Sequence, residues 1–382
     1  SSTNAVTPST VPGAPIIGSA TAGNGQATVS FSAPSSDGGS AITGYIVTSS
    51  PGSIWASGST SPITVPGLTN GVTYTFTVTA TNTNGTGSAS SASNSVTPST
   101  TPGAPLIGPA IYGDKKARVT FSPPASDGGA TITQYTVTSS PHGITATGSG
   151  SPITIAGLSN GTSYRFTVTA TNNNGSGPAS SLSNNIVPAL VPTVFNSTTG
   201  EVWMDRNLGA SRVATSSTDD QAYGYLYQWG RFSDGHQVRT SEVTYTLSTT
   251  DTPGHSDFIL APDSPWDWRD TGNDNLWQGT DGINNPCPCD FRIPTIEEFE
   301  AEVATWSSQN TTGGYNSPLK LTVPGIRDKD DGSIKYLGES GYYATSSFQY
   351  SRTMKLLYLS ISFANYSYTD RAYGFSVRCI KE

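Results

Sequence analysis

Two long segments of the chain repeat each other at an offset of 90 residues without a gap. The stretch VPGAPIIGSATAGNGQATVSFSAP begins at residue 11, and TPGAPLIGPAIYGDKKARVTFSPP begins at residue 101. A repeat of this length is a whole domain, because solenoid units have only about 20 to 50 residues. The sequence therefore predicts two copies of one domain, over 11–100 and 101–190.

Apolar and polar residues alternate near the end of each copy. Tyr74, Phe76, Val78 and Ala80 occupy every second position of the first copy, and the second copy has the same alternation 90 residues later. Strict alternation predicts a strand with one buried face. Because turn-forming stretches such as SDGGS and TNG separate the candidate strands, we expect each copy to be a β-sandwich.

Both copies resemble fibronectin type III domains. Phe31 and Phe121 stand where that family usually has a core tryptophan, which is a conservative exchange. The resemblance implies a sandwich fold and a spacer role, with ligand binding by the loops as the alternative. It is carried by a strand tyrosine, a leucine and a tyrosine-corner tyrosine in each copy: Tyr45, Leu68, Tyr74, Tyr135, Leu158 and Tyr164.

Residues 1–10, SSTNAVTPST, match residues 91–100, SASNSVTPST. They therefore correspond to the end of a preceding repeat, and we expect further fibronectin III-like repeats upstream in the full-length chain. A row of nearly uncharged sandwiches is suited to be a stalk that displays whatever follows it.

Charge is concentrated in the last half of the chain. Of the 19 basic and 27 acidic residues, 15 and 24 follow residue 190, and the whole chain has a net charge of −8. An acidic chain without a basic stripe argues against a nucleic-acid partner. Because no run of 18 apolar residues exists, we expect no membrane span.

One helix is predicted in the C-terminal region, over about 295–308. Thr295 and Glu298 have the spacing of a capping box, and Phe299, Val303 and Trp306 follow at helical spacing. The remaining segments are short candidate strands and long loops, which need tryptophans and a disulfide to fix them.

Three cysteines occur, Cys287, Cys289 and Cys379, and in a chain of extracellular type two of them should pair. Cys287 and Cys289 are too close in sequence to pair easily with each other. A bridge from Cys287 to Cys379 would close a loop of about 90 residues. A zinc site would be one ligand short and would need His236 or His255, so a disulfide is favoured.

Residues 191–382 resemble the C-type-lectin-like domain of the formylglycine-generating-enzyme lineage, through the motifs VWMDRNLGA, YQWGR, NPCP, FRIPT and GFSVRC. Within that lineage they are similar to the Fibrobacter major paralogous domain group and to the variable proteins of diversity-generating retroelements. The fold expected is therefore mostly β, with two tandem sandwiches and one α+β lectin-like domain. The resemblance implies a bridge between Cys287 and Cys379, although Cys289 leaves open which of the two neighbours is bonded.

In such variable proteins, a reverse transcriptase rewrites adenine-containing codons near the end of the gene. The resemblance thus implies a variable region over about 342–379, in which Gln349, Met354 and Lys355 would be invariant. The stretch 371–379 would belong to the fixed scaffold, together with Leu357, Leu359 and Phe363 as core residues.

The stretch KLLYLSISF alternates, which predicts that Leu357, Leu359 and Ile361 are buried and that the residues between them face outward. Tyrosine and serine are typical of antibody paratopes, because tyrosine gives large contact area at low entropic cost. The residues predicted to bind a ligand are Phe348, Tyr350, Arg352, Leu356, Tyr358, Ser360, Tyr366, Ser367, Tyr368, Thr369, Asp370 and Tyr373.

The function expected is that of an extracellular binding protein, on a cell surface or a virion tail, which holds a protein or glycan ligand on a cell without catalysis or a cofactor. One alternative is an invariant structural or carbohydrate-binding surface protein. Another is a formylglycine-generating type of enzyme, which would need reactive thiols at Cys287 and Cys289. No protein ligand set for a metal is predicted; calcium would need the oxygen-bearing residues Asp270, Asn273, Asp274, Asn275, Asp281 and Asn284.

Overall fold

The computed structural model describes residues 8–348 and 352–382. The predicted binding residue Tyr350 and most of the stretch 1–10 lie outside the described residues. The chain forms two compact units, one of 1–109, 119–153 and 164–185, and one of 110–118, 154–163 and 186–382. The prediction of a mostly β protein with tandem sandwiches is confirmed.

The first sandwich has two antiparallel sheets, of strand order β1-β2-β5 and β4-β3-β6-β7. Its core contains the alternating residues of β6, and the Phe31 ring lies 4.8 Å from the Tyr45 ring. The Tyr74 hydroxyl accepts a hydrogen bond from the backbone N–H of Thr69 (3.1 Å), as expected of a tyrosine corner. The strands are β1 (Ile16–Gly23), β2 (Gln26–Ser32), β3 (Gly44–Ser50), β4 (Trp55–Gly58), β5 (Ile63–Pro66), β6 (Thr75–Asn82) and β7 (Gly85–Thr86).

The second copy repeats this pattern. Its four-stranded sheet has the order β11-β10-β13-β14, and Tyr135 pairs with Ala170 just as Tyr45 pairs with Ala80. Its strands are β8 (Leu106–Gly113), β9 (Lys116–Ser122), β10 (Gln134–Ser140), β11 (Thr145–Gly148), β12 (Ile153–Ala156), β13 (Arg165–Asn172) and β14 (Gly175–Ser176).

Residues 186–382 contain many short strands joined by long loops. Their sheets have the orders β15-β16-β27-β20, β17-β26-β21-β22, β18-β19 and β23-β24-β25. The strands are β15 (Thr193–Phe195), β16 (Val202–Met204), β17 (Tyr227–Gln228), β18 (Val243–Thr244), β19 (Phe258–Ile259), β20 (Phe291–Arg292), β21 (Ile326–Arg327), β22 (Ile334–Lys335), β23 (Gly341–Phe348), β24 (Thr353–Leu359), β25 (Ala364–Asp370), β26 (Gly374–Phe375) and β27 (Ile380–Lys381), and a 3-10 helix covers Asp220–Ala222.

The helix α1 covers Ile296–Val303, so it begins where the capping box predicts but ends five residues early. The Thr305 hydroxyl donates to the Glu302 carbonyl (2.7 Å), and the backbone N–H groups of Thr305 and Trp306 bond three residues back, to Glu302 and Val303. These tighter bonds end the α-helical pattern. A second short helix, α2 (Thr311–Asn316), was not predicted, because its TTGGYN sequence has low helix propensity.

The strands β23 and β24 lie between two apolar clusters of the same unit. On one side, Leu356 and Met354 join a cluster that contains Trp229 and Trp268. On the other side, Leu357 packs with residues of α1 in a second cluster. Both faces of β24 are therefore covered.

This arrangement contradicts part of the predicted alternation. Leu356 is only 2 % exposed and Ser360 is buried, although both were predicted to face outward. Conversely, Ile361 is 79 % exposed and Phe363 is 48 % exposed, although both were predicted to be core. Alternation identifies two faces, but it does not show that both are covered or where the strand ends.

A disulfide joins Cys287 to Cys379, with 6.0 Å between their Cα atoms. Cys289 is a free, buried thiol. The bridge links the loop before β20 to the last residue before β27, and both of its cysteines belong to the cluster that contains Trp229.

Candidate binding face

The sheet β23-β24-β25 fixes which side chains share a surface. Tyr342 pairs with Tyr358, and Tyr358 pairs with Asn365, so these three side chains form one row on one face. Leu357 pairs with Tyr366 in the next row, which points to the opposite face. Neighbouring residues of β25 therefore point to opposite faces of the sheet.

Four rings form a continuous aromatic cluster on the first face, which we define as Tyr336, Tyr342, Tyr358 and Phe363. Their successive ring centroids are 6.1, 5.0 and 5.7 Å apart. Tyr342 and Tyr358 are half-buried against the core, whereas Tyr336 and Phe363 are 55 % and 48 % exposed. Two rings of the aromatic cluster are therefore held against the core, and the other two are accessible to a ligand.

Hydroxyl groups give this aromatic cluster polar contacts. The Tyr358 hydroxyl lies 3.3 Å from the Ser340 hydroxyl, within hydrogen-bonding distance. Burial, and then the nearby Tyr358, raise the pKa of Tyr342. Tyr342 therefore stays protonated at physiological pH and keeps its O–H as a hydrogen-bond donor.

A charged margin lies on the same side of the domain. The Lys329 ammonium is 5.7 Å from the centre of the Tyr373 ring and forms an ion pair with Asp330 (2.8 Å). Burial raises the pKa of Asp370, while Lys329 opposes that shift. Tyr373, like Tyr342 and Tyr358, packs half-buried against the cluster that contains Trp229.

Tyr366 and Tyr368 lie on the opposite face of β25. Tyr366 packs against the cluster that contains α1, and burial raises its pKa to about 12. Tyr368 is exposed, and the Lys355 ammonium lies 5.9 Å from the centre of its ring. These two tyrosines consequently do not share a surface with Tyr358.

Phe348 and Arg352 lie at the other end of the β23-β24 hairpin. The Arg352 guanidinium donates to the carbonyl of Asp270 (3.0 Å). Phe348 contacts the Trp229 ring, and the Arg371 guanidinium stacks 4.0 Å above Trp229.

Asp267 is buried beside Arg371, with 4.0 Å between the nearest oxygen and nitrogen. Burial raises the pKa of Asp267 to about 6, and Arg371 only partly offsets this. The hairpin end thus rests on a buried charged pair rather than on aromatic rings alone.

The predicted binding residues are therefore distributed over several places. Tyr358, Ser367 and Thr369 lie on the first face, and Tyr373 packs against the cluster that contains Trp229. Asp370 pairs with Thr353, so its register is that of Tyr366 and Tyr368, and Leu356 and Ser360 are buried. Three residues of this region, Tyr336, Tyr342 and Lys329, are not among the predicted binding residues. The stretch KYLGESGYY could have indicated the two tyrosines, but Lys329 reaches Tyr373 only through the tertiary fold.

The oxygen-bearing residues considered for calcium are largely used in internal contacts. Asp274 accepts from the Arg371 guanidinium (2.5 Å), and the Asn284 amide donates to two backbone carbonyls. Within 8–348 and 352–382, no group of three or more His, Cys, Asp or Glu residues is arranged to hold a metal ion.

Neither cysteine near the helix resembles a reactive thiol. Cys287 is bonded to Cys379, and burial raises the pKa of Cys289 to about 11. A thiolate is the reactive form of cysteine, so burial disfavours nucleophilic chemistry at Cys289.

One known domain family matches both repeats. The model of the fibronectin type III domain matches residues 14–96 and 111–185. Among solved structures, the chicken CNTN1 FN1–FN3 domains are similar at 20 % identity, covering 52 % of this chain and 75 % of that one, with a TM-score of 0.29. No curated protein matches the sequence. The family model thus identifies two fibronectin type III domains in this chain, over 14–96 and 111–185.

Proposed function

We propose that this protein is an extracellular ligand-binding protein, in which a stalk of fibronectin type III domains displays a C-terminal binding domain over 191–382. The observation that carries the proposal is the aromatic cluster, because its exposed rings Tyr336 and Phe363 contact Tyr342 and Tyr358, which are held on strands packed against the core. A rigid base reduces the entropy that is lost when a ligand binds.

The composition of this face favours recognition of a macromolecule. Tyr336 and Phe363 are large exposed rings, and Leu337, the residue after Tyr336, adds an exposed apolar side chain. Contiguous exposed aromatic groups with a polar margin are typical of interaction sites, where tyrosine often dominates the binding energy. The proposed ligand is a protein or glycan on a cell surface.

An extracellular location agrees with the domain types in the chain and with its disulfide. Fibronectin type III domains are common in extracellular proteins as adhesion or ligand-binding modules, and the disulfide fits an oxidising environment. No helix among the described residues is both long enough and apolar enough to cross a membrane. We place the protein on a cell surface or a virion tail.

We further propose that the C-terminal domain is lectin-like and is diversified by a retroelement over about 342–379. This proposal rests on the sequence motifs and on the position of Tyr358, Ser367, Thr369 and Tyr373 around one face. No catalytic role is proposed, since the thiols near α1 are bonded or buried.

Mutation of two exposed rings tests the binding face. We expect Tyr336→Ser with Phe363→Ser to weaken binding at least about 10-fold, because each ring supplies contact area at the margin of the aromatic cluster. Binding of the full chain would be measured on a glycan array and on a displayed library of linear peptides. Tyr245→Ser is the matched control, since that ring is 67 % exposed and is not part of the aromatic cluster.

Two results would contradict the proposal. One is unchanged binding by the double variant, and the other is a lack of binding to both kinds of probe. For diversification, copies of the gene from one population should differ at Tyr358, Ser367, Thr369 and Tyr373 but agree over 374–379. An unchanging stretch 348–373 would contradict it.

A further inference from the structure

The strand β25 is the edge of its sheet. Within the described part of the chain, β24 is its only strand partner. All seven residues from Ala364 to Asp370 pair with β24 in a continuous register without a bulge. Edge strands of natural proteins are usually protected by proline, lysine, bulges or a covering segment. The sequence ANYSYTD contains neither proline nor lysine.

The direction of the backbone groups follows from the turn that precedes β25. Ser360 donates its backbone N–H to the Phe363 carbonyl, so these two residues form the last bonded pair of the hairpin. Bonded pairs alternate along an antiparallel ladder, which places the N–H of Ala364 on the outer side. Consistent with this, Ala364 donates to the Gln309 carbonyl rather than to β24.

The same alternation directs the backbone groups of Tyr366, Tyr368 and Asp370 outward. The Tyr366 N–H donates to the side-chain oxygen of Asn365 (2.8 Å). The Tyr368 carbonyl has a long contact of 3.5 Å with the Ser367 hydroxyl. Apart from the Tyr366 N–H, which is already bonded to Asn365, the segment Tyr366–Asp370 therefore directs outward a row of backbone donors and acceptors spaced by two residues.

Such a row is complementary to one kind of ligand backbone. An extended peptide repeats its N–H and C=O groups at the same two-residue spacing, whereas a glycan has no such repeat. A second copy of this chain could pair in the same way, but each copy has a net charge of −8, which opposes self-association. The geometry favours a peptide from a different protein.

Side chains beside this edge leave room for an added strand. Asn365 and Ser367 are exposed, short and polar on the face of the aromatic cluster, while Tyr366 and Tyr368 place rings on the opposite face. Alternate side chains of an added strand would lie beside these two different surfaces. The backbone row would thus supply affinity, and the two faces would supply selectivity.

We propose that the outer edge of β25, over Tyr366–Asp370, binds an extended peptide segment of a partner protein as a fourth strand of the sheet. This inference rests on the proposed ligand-binding function and specifies the chemical class of its ligand. It requires backbone recognition at an edge in addition to contacts with the aromatic cluster.

The test begins with linear peptides selected from a displayed library by the full chain. The best peptide would be resynthesised with each backbone nitrogen methylated in turn, and each affinity would be measured by calorimetry. We expect losses of at least about 10-fold at every second position, because only alternate N–H groups of an added strand face β25. Losses without this period of two would overturn the proposal.

Variants of Tyr368 separate backbone from side chain. Tyr368→Pro removes the outward N–H and should weaken peptide binding at least about 10-fold, whereas Tyr368→Thr keeps the N–H and should weaken it less than about 3-fold. Equal effects of the two variants would overturn the proposal. If Tyr368→Pro lowers the melting temperature strongly, the methylation series on the unmodified protein decides alone.

Two further outcomes distinguish this inference from the proposed function. In the first outcome, no peptide is selected, but the protein binds a glycan and the Tyr336→Ser, Phe363→Ser variant does not. This result would overturn strand addition and leave the proposed function intact. A dimer of the protein alone, seen by light scattering and abolished by Tyr368→Pro, would identify a second copy as the occupant and overturn the peptide proposal.

Discussion

The first fibronectin type III domain and residues 186–382 are stabilised in different ways. The first domain has an apolar core, and its buried polar side chains within 8–100 are only Ser49, Asn82 and Ser90. The C-terminal region instead buries the guanidinium groups of Arg231 and Arg371, together with several tryptophans. A regular sandwich can rely on alternating strands, whereas a region of long loops needs specific polar contacts and a cross-link.

Arg378 illustrates this difference. Its guanidinium is fully buried and donates to the side chain of Asn207 (2.9 Å) and to the backbone carbonyls of Met204 and Leu319. Met204 and Asn207 are close in sequence but Leu319 is distant, so one side chain joins two separate segments to the end of the chain. Such networks are costly to disrupt, because the remaining buried acceptors lose their donor.

Loss of the disulfide should have the largest effect on the stability of the C-terminal region relative to the sandwiches. We expect Cys287→Ala with Cys379→Ala to lower the free energy of unfolding of the C-terminal region by about 4 kcal/mol, because the bridge closes a loop that spans 92 residues of sequence. Urea denaturation followed by tryptophan fluorescence would measure it, since six of the seven tryptophans follow residue 200. The sandwiches contain no cysteine and are the internal control. An unchanged fluorescence transition would contradict the prediction.

Replacement of Arg378 should have the next largest effect. We expect Arg378→Met to destabilise the C-terminal region by about 3 kcal/mol, because several buried oxygens lose a charged donor. Arg165→Met is the matched control; Arg165 is exposed at the start of β13, so its effect should be within about 0.5 kcal/mol. Equal effects of the two substitutions in urea denaturation would refute the contrast between the regions.

His236 should make the C-terminal region sensitive to acid. Burial lowers its pKa to about 4; its Nε2 accepts from the backbone N–H of Gln228, and its Nδ1 donates to Asp234 (2.6 Å). The unfolded state takes up a proton near pH 6.5, so stability should decrease as the pH falls from about 6.5 to about 4.

The difference between the unmodified protein and His236→Gln isolates this effect. Asp267 contributes with the opposite sign, because its raised pKa makes the folded state bind more protons than the unfolded state between about pH 4 and 6. Urea denaturation at several pH values should show that His236→Gln loses the acid-dependent decrease. The same decrease in the variant would mean that another group is responsible.

Substitution of Ile361 should have the smallest effect. Because Ile361 is 79 % exposed, Ile361→Ser should change the free energy of unfolding by less than about 0.5 kcal/mol. Leu357→Ala is the matched comparison: its side chain is fully buried between β24 and α1, so it should cost about 2 to 5 kcal/mol. A loss for Ile361→Ser as large as that for Leu357→Ala would restore the predicted core role of Ile361.

Predictions from the sequence succeeded where the relevant contacts are local. The capping box of Thr295 and Glu298 is present, and Phe299 and Val303 are buried on α1 as their spacing indicated. The alternation of β6 likewise identified its buried face. Each of these features depends on neighbours within a few residues, which periodicity can detect.

Predictions failed where distant segments decide exposure. Leu356 was predicted to face outward, but the cluster that contains Trp229 covers it. Phe363 was predicted to be core, but β24 ends at Leu359 and the chain turns before Phe363. The sequence shows Tyr336 and Tyr342 as tyrosines, but not that they form one cluster with Tyr358, because that depends on strand pairing and ring contacts between separate segments.

The sequence by itself determined the two sandwiches, the start of α1 and the concentration of tyrosine near the end of the chain. The tertiary structure decided which tyrosines share a surface. Tyr358 and Tyr366 both lie in the tyrosine-rich stretch, yet strand register sends them to opposite faces. The physical reason is that local periodicity assigns a side chain to one of two faces, whereas packing against distant segments decides which face remains exposed.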